Sequence, residues 1–573
     1  MKIVKRDGRI VEYNADKIKV AIGKANNEVP DDERIADKDI DGIIKYIESL
    51  GKKRMLVEDI QDIIEVKLME KKKYHLAKTY IIYRYKRSVI RQSNTIDASI
   101  LSILKNGGSG ERNYLDANRQ RDVMAGEVSK DLAFRLLLPR NVVEASKRGH
   151  IEFCNVEYFT EPVIDSAKID LADMFENGTV INGIKIDEPR GFQSACNILV
   201  EIVAGLASTQ TGNIYIDYKD LFKYYHLTFE KMYSVYSTLM RDHMTDEQIK
   251  AISHTQAFLE VKTGIQTILY QINTITIGSG LVPKVHFLID MREVTTNEEE
   301  RLVFEFVKQK ANGIENENGK LAVTHYPKIV YMVCDDATLR EKYDYITREI
   351  IGVENEFSIM SEKRYDAFLK EVDKFNQGSI ALNLAKLAID STESGQDFFG
   401  LLKQSLSICY EGLLCRNHNL QGIYSGKSPL HWQYGAIARL ASTERIDQYL
   451  KKGSSVMSLI VVGFEAAVHI LGDDDYLKKR IRDEIVETVK RWNKESNFET
   501  VISNDYKEFT DIDMNVYKKY GLENLQDSSS FMCENYFKDG YIYLYTNSSI
   551  DVVNDDVLNE NFIIRRIVDI DDE

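Results

Sequence analysis

Val456-Met457-Ser458-Leu459-Ile460-Val461-Val462 is a short apolar run rich in β-branched residues, with one polar position and no alternation. It is too short for an ordinary helix. It also lacks the period of two that marks a half-exposed strand, so it reads as a strand covered on both faces. Val285 to Ile289 and Ile329 to Val333 read the same way, and the three are expected as neighbouring buried strands. Helical periods such as Val128, Leu132 and Leu136, closed by Leu138-Pro139, alternate with these runs. Such alternation predicts an α/β architecture. Seven prolines in the whole chain suit long, uninterrupted helices. Tyr541 to Tyr545 alternates aromatic and aliphatic residues and reads as one more strand. The chain shows no internal repeat and no low-complexity tract.

The first ninety residues have a different character. Asp7-Gly8 lies between two β-rich runs, Lys2 to Arg6 and Arg9 to Tyr13, and a two-residue Asp-Gly loop signals a tight hairpin. Lys5 and Arg6 then sit beside a turn, where a guanidinium fork and an ammonium suit a polyphosphate. On these residues alone a solvated basic hairpin is an equal reading. Ile18, Ala21, Ile22 and Ala25, and then Ile60, Ile63, Ile64 and Leu68, carry helical spacing. They precede a further helix, Ala77 to Arg87, that contains Tyr80 and Arg84.

The chain has 573 residues with 43% hydrophobic content, enough for a large core and more than one domain. Lysine and arginine number 75 against 90 acidic residues, a formal charge of −15. That balance argues against a general nucleic-acid surface, which depends on neutralising phosphates. No apolar run approaches a membrane span, and Met1-Lys2 leads into a strand rather than a signal peptide, so a cytoplasmic protein is expected. Six scattered cysteines make no disulfide framework. Lys105-Asn106-Gly107-Gly108-Ser109-Gly110 marks a boundary.

The N-terminal segment resembles the ATP-cone, the regulatory module of many ribonucleotide reductases, through Val4-Lys5-Arg6-Asp7-Gly8, Lys17-Ile18, Asp59-Ile60-Gln61 and Tyr80-Ile81-Ile82-Tyr83-Arg84. The resemblance implies ATP or dATP as effector, with Val4, Lys5, Arg6 and Lys17 at the nucleotide and Arg84 and Arg87 as further candidates. The remainder resembles the catalytic subunit of anaerobic, glycyl-radical ribonucleoside-triphosphate reductases. Asn118 to Asp131 with Leu138-Pro139, Ile169-Asp170-Leu171, Tyr326 to Val330, Gly378 to Leu384, Ser458 to Glu465 and Tyr545 to Ser549 follow in family order. The implied fold is a ten-stranded α/β barrel preceded by a small, mainly helical ATP-cone. The implied domains are residues 1–92 for the cone, 93–112 for a linker and 113–573 for the barrel.

That family's chemistry, as the resemblance implies it, needs a radical glycine and two cysteines, one to abstract the 3′ hydrogen and one to supply reducing equivalents. At the place of one cysteine, just before Ile169-Asp170-Leu171, this chain carries Ser166, whose hydroxyl lacks the redox ladder of a thiol. The second belongs on a finger loop before Gly378, where only the short polar stretch Lys370 to Gln377 is found. After Tyr545 to Ser548 the family continues into a zinc-cysteine cluster and a radical loop, whereas this sequence runs to Asp571-Asp572-Glu573 without either. The expectation is therefore no zinc and no radical in this chain. A family His-x-His-Asp phrase also departs, as His150-Ile151-Glu152-Phe153-Cys154-Asn155.

Other candidates read as scaffold. Cys409, Cys415 and His418 match no common zinc spacing, and no C-x-x-C pair exists. Gly422 to Ser428 imitates a P-loop but has three residues between its glycines instead of four, with Pro429 where a phosphate-binding helix should run. Cys154 and Cys196 flank the region of Ser166 and are expected in packing roles. Two functions follow: an inactive, nucleotide-binding relative acting as a regulator or accessory subunit, or a component of a split, active reductase whose radical glycine comes from another chain. Nucleoside triphosphates, and a homodimer or a complex with a reductase subunit, are the expected partners, with no nucleic acid and no membrane.

Overall fold

The computed structural model describes residues 2–4, 10–51, 54–84, 117–275, 282–315, 318–334, 336–351, 357–472, 475–503, 541–546 and 563–569. The chain divides into two units, Met1–Tyr114 and Leu115–Glu573. The expected linker at 93–112 lies outside the described residues.

In the first unit Asn14 caps helix α1 (Ala15–Asn26) by accepting the Asp16 N–H at 2.8 Å, satisfying a donor that the helix leaves free. Ile18, Ile22 and Ala25 on α1 pack with Ile60, Ile64 and Leu68 on α3 (Val57–Glu70). Leu76, Ala77 and Tyr80 on α4, residues 74–84, complete that layer. Helix α2 (Asp37–Ser49) adds Ile40, Ile43, Ile44 and Ile47, a stripe at the same spacing that the sequence reading did not single out. The hairpin strands Lys2–Val4 and Ile10–Glu12 pair antiparallel, Ile3 opposite Val11, and Arg54–Leu56 joins the first of them in parallel.

The second unit is built on strands β1 (Ala167–Lys168), β2 (Ile214–Asp217), β3 (Val285–Ile289), β4 (Lys328–Val333), β5 (Phe357–Ser361), β6 (Phe375–Asn383), β7 (Ser455–Val462), β8 (Glu499–Ser503), β9 (Tyr541–Thr546) and β10 (Ile563–Asp569). One sheet has the order β9-β10-β5-β4-β3-β2-β1, and a second contains β8-β7-β6. An antiparallel bridge between Ser166 and Asn376 joins them, so ten strands run in one line. Strands β1 to β5 are mutually parallel, as are β6 to β8. Direction reverses at the Ser166 bridge, and also where β10 pairs antiparallel with β5 and where the short strand Ile151–Phe153 pairs antiparallel with β6. Among the described residues no ladder joins β8 to β9.

The three apolar runs are strands, but they are not all neighbours. β3 and β4 lie side by side, while β7 sits in the other half between β6 and β8. Sequence patterning reports that a strand is covered on both faces and carries nothing about which strand lies beside it.

Pairing register separates the two faces of β1 to β4. Lys168, Tyr215, His286 and Lys328 are direct partners and share one face. The opposite face carries Phe287, whose ring meets Phe306 of helix Asn297–Asn312 at 5.0 Å, and Tyr331, which reaches Thr347 of helix Ala337–Ile351. Those crossover helices cover the outside.

Helix Glu362–Val372 takes the other side. Its Phe368 ring stands 5.6 Å from Tyr215, and Asp373, just beyond it, meets Lys168 at 3.0 Å. Glu362 and Asp366 pair with Arg292, which follows β3, at 3.1 and 2.8 Å. The connection from β5 to β6 therefore passes as a helix over the inner face.

Phe287→Ala should lower the unfolding free energy by about 3–5 kcal/mol, because a fully buried ring leaves a cavity between sheet and helix. Tyr270→Ala, at a residue 40% exposed, should change it by less than about 0.5 kcal/mol in the same denaturant titrations.

Candidate functional site

Two regions hold the residues singled out from the sequence. In the first unit, α1, α3 and α4 line an open cavity of about 500 Å³, with Asp16, Lys17, Val20, Ala21, Gln61, Tyr80, Tyr83 and Arg84 at its walls. Lys17 and Arg84, expected at a nucleotide, thus reach one cavity. Val4 closes the first hairpin strand. Lys5, Arg6 and Arg87 lie outside the described residues.

The two cations differ in state. Lys17 is exposed, with no ion pair among the described residues. Arg84 is gripped by three carboxylates of α3, Glu58 at 2.5 Å, Asp62 at 2.6 Å and Glu65 at 2.7 Å. Burial acts to lower its pKa, but the hydrogen bonds it donates to Asp62 and Glu65 win and hold it above the ordinary value. One turn earlier, burial pushes the Tyr80 phenol up to about 12. The acidic trio has i, i+4, i+7 spacing and so was legible as a stripe. Its partner, from a helix nineteen or more positions later, was not.

In the second unit Ser166 is buried, and its hydroxyl accepts the Asn213 N–H at 3.0 Å. Asn376 and Ser166 face each other across the bridge, the Asn376 N–H donating to the Ser166 carbonyl at 2.7 Å. Beside them the Asp165 carboxylate accepts Ser379 Oγ at 2.6 Å and Thr211 Oγ1 at 3.3 Å, while Asn376 Nδ2 donates to Ser458 Oγ at 2.8 Å. Arg416, also buried, donates to the Cys154 carbonyl, and its guanidinium carbon lies 4.0 Å from the Phe153 ring centroid. The guanidinium packs so closely on Gly378 that a Cβ there would meet Arg416 Cδ at 2.6 Å. The cavity lined by Asp165, Thr211, Gln377 and Arg416 measures about 10 Å³, room for one water.

The expected polar loop from Lys370 to Gln377 is not a loop. Lys370 to Val372 end the crossing helix, Phe375 opens β6, and Asp373-Lys374 alone connect them. Every residue of β6 is buried. A polar sequence misled here because Asn376 and Gln377 are satisfied by interior partners, among them Ser458 Oγ and Ser455 Oγ at 2.8 Å each. Asp165, Ser379 and Arg416 were missed as a group, since nothing local announces that they meet.

The remaining candidates resolve as scaffold. Cys196 is fully buried on helix Phe192–Ala207, and burial raises its thiol well above the ordinary value. Cys154 packs with Ala381, Ile460 and Val462. Cys409, Cys415 and His418 share helix Phe398–Leu420, with Cys409 in the core and His418 exposed. No group of three or more His, Cys, Asp or Glu among the described residues is placed to hold a metal ion. The P-loop imitation runs into the four-residue helix Pro429–Trp432, whose buried His431 meets Ser428 Oγ at 2.6 Å and Gln210 Oε1 at 3.0 Å. No described helix is long and apolar enough to cross a membrane.

An α/β unit of ten aligned strands, preceded in the sequence by a small, mainly helical unit with a cavity that Lys17 and Arg84 reach, defines a ribonucleotide-reductase type of protein. A family model for anaerobic ribonucleoside-triphosphate reductase matches residues 112–558, and one for the ATP cone domain matches residues 1–89. The chain belongs to the anaerobic ribonucleoside-triphosphate reductase family and carries an N-terminal ATP-cone. The anaerobic ribonucleoside-triphosphate reductase of Haemophilus influenzae is 25% identical over 551 residues, 87% of this chain and 75% of that protein. The Escherichia coli protein of the same description is 24% identical over 547 residues, again 87% and 75%. The anaerobic ribonucleotide reductase of Thermotoga maritima, solved in complex with dATP and CTP, shares the fold with a TM-score of 0.51 at 12% identity, over 76% of this chain and 80% of that one.

Burial pushes the His431 imidazole down to about 3 from 6.5. The unfolded chain therefore takes up its proton first, below about pH 6.5, and this group costs about 1.4 kcal/mol of stability per pH unit as pH falls toward the folded value. His431→Gln should lower the slope of stability against pH by about one proton between pH 6 and 4, read from denaturant midpoints across that range.

Proposed function

We propose that this chain is a nucleotide-responsive member of its family that reduces no ribonucleotide by itself and acts as a regulator or accessory subunit of a reductase. A contrast between cavities carries the reading. The cone unit holds about 500 Å³ beside a lysine with no ion pair among the described residues, within the range of small-molecule sites, whereas the cavity beside Asp165 holds about 10 Å³. Ser166 supplies a hydroxyl already engaged by the Asn213 N–H, and a helix passes over the inner face where a finger loop is expected. The triphosphate ligands of the T. maritima relative support nucleoside triphosphates as the ligand class. In this reading Val4, Lys5, Arg6 and Lys17 face the nucleotide, and ATP or dATP is the effector.

ATP or dATP should raise the thermal midpoint, since a ligand bound only by the folded state adds about 2.7 kcal/mol at a hundredfold excess over Kd. Lys5→Ala with Arg6→Ala should abolish that rise and leave the unliganded midpoint in place. An unchanged nucleotide response in the double variant removes the cone assignment.

Incubated with each ribonucleoside triphosphate, formate and a radical-activating enzyme, the chain should yield no deoxyribonucleotide. Ser166→Cys should do no better, because a thiol there restores one step of a series. Deoxyribonucleotide formed by the unaccompanied protein would overturn the reading.

A further inference from the structure

The guanidinium of Arg84 reaches the cone cavity already committed. Nη2 donates to Glu58, and Nη1 donates to Asp62 and Glu65. Glu58 and Glu65 keep only 25% and 20% of their side-chain surface exposed, and Arg84 only 15%. Withdrawing the guanidinium toward a ligand would leave three carboxylates facing one another in a partly dry site, which removal of one partner from a buried ion pair makes unfavourable. Lys17, on the opposite wall, has no such commitment among the described residues.

Position adds a second argument. The carboxylates at 58, 62 and 65 span two turns of α3, so one side chain staples α4 along that length. Besides Arg84, the α4 residues that line the cavity are Tyr80, one turn before it, and Tyr83, directly beside it. Their placement depends on where α4 lies against α3. Behind Arg84 the three carboxylates outnumber its single charge, which disfavours phosphates on that side, whereas α1 brings Lys17 to the cavity, with Asp16 beside it.

We propose that Arg84 is a positioning residue of the nucleotide site: its three ion pairs fix the tyrosine wall that receives the nucleoside, and the phosphates go to Lys17 instead. This rests on the nucleotide reading above and refines it.

The test uses the full chain and two variants that conserve local charge. Arg84→Lys keeps the cation and loses the fork, and Arg84→Gln with Glu65→Gln removes one charge of each sign. Affinities for ATP and for adenosine are taken from ligand-dependent thermal midpoints, with circular dichroism confirming the fold. Positioning predicts that both ligands weaken by the same factor, about fivefold or more, in both variants, with the salt dependence of ATP binding unchanged. Loss confined to ATP, together with a shallower salt dependence in the double variant, would make Arg84 a phosphate contact and overturn the inference. Unaltered affinity for both ligands would overturn it as well. A wild-type chain that responds to neither ligand would instead remove the nucleotide reading on which it stands.

Discussion

Asp165 enters the sheet where its two halves run in opposite directions, and its carboxylate is buried there. A buried charge is tolerated only when hydrogen bonds replace water, and an unmet one costs several kcal/mol. Here the partners come from across the junction: Ser379 from β6, Thr211 from the segment before β2, and Asn376, which continues to Ser458 on β7. The bridge between Ser166 and Asn376 is isolated, so few backbone hydrogen bonds join the halves at that point and these side-chain bonds add to them. The network therefore fixes the relative placement of the half-sheets and, with it, everything carried on their inner faces.

The same network decides what the centre of the unit can do. Groups that satisfy one another are poor at receiving a ligand, and the residual space suits a water. The crossing helix reinforces this from the other half, its acidic side chains meeting Arg292 and Lys168. These are ion pairs of partial exposure, weak singly, yet with Phe368 on Tyr215 and the buried Tyr365 they seat the helix on that face. The cone unit has the opposite economy of contacts. Its core is rich in isoleucine, and Lys17, exposed on α1, lines a cavity together with Arg84, which three carboxylates of α3 hold.

Much of the scaffold was legible from residue patterns. Val285–Ile289 and Lys328–Val333 are strands because unbroken β-branched runs suit burial on both faces, and α1 and α3 follow their helical stripes. The stripe at Ile40, Ile43, Ile44 and Ile47 was equally plain and was passed over. Polar segments were the weak point. Phe375-Asn376-Gln377 reads as connection and folds as fully buried strand, because polarity predicts exposure only when no interior partner is waiting.

By itself the sequence determined the alternation of helices and strands, the boundary in character after the first ninety residues, and the identity of the side chain at position 166. Those are properties of residue type and local spacing, which periodicity and turn chemistry express within a few positions of the chain. The tertiary structure decided that Arg84 belongs to three carboxylates while Lys17 does not, that β7 lies in the far half of the sheet, and that Asp165 meets Asn376 and shares the lining of one small cavity with Arg416. Each of those outcomes depends on groups tens to hundreds of positions apart being brought within hydrogen-bonding distance or into one lining, and a contact of that separation leaves no local period to read.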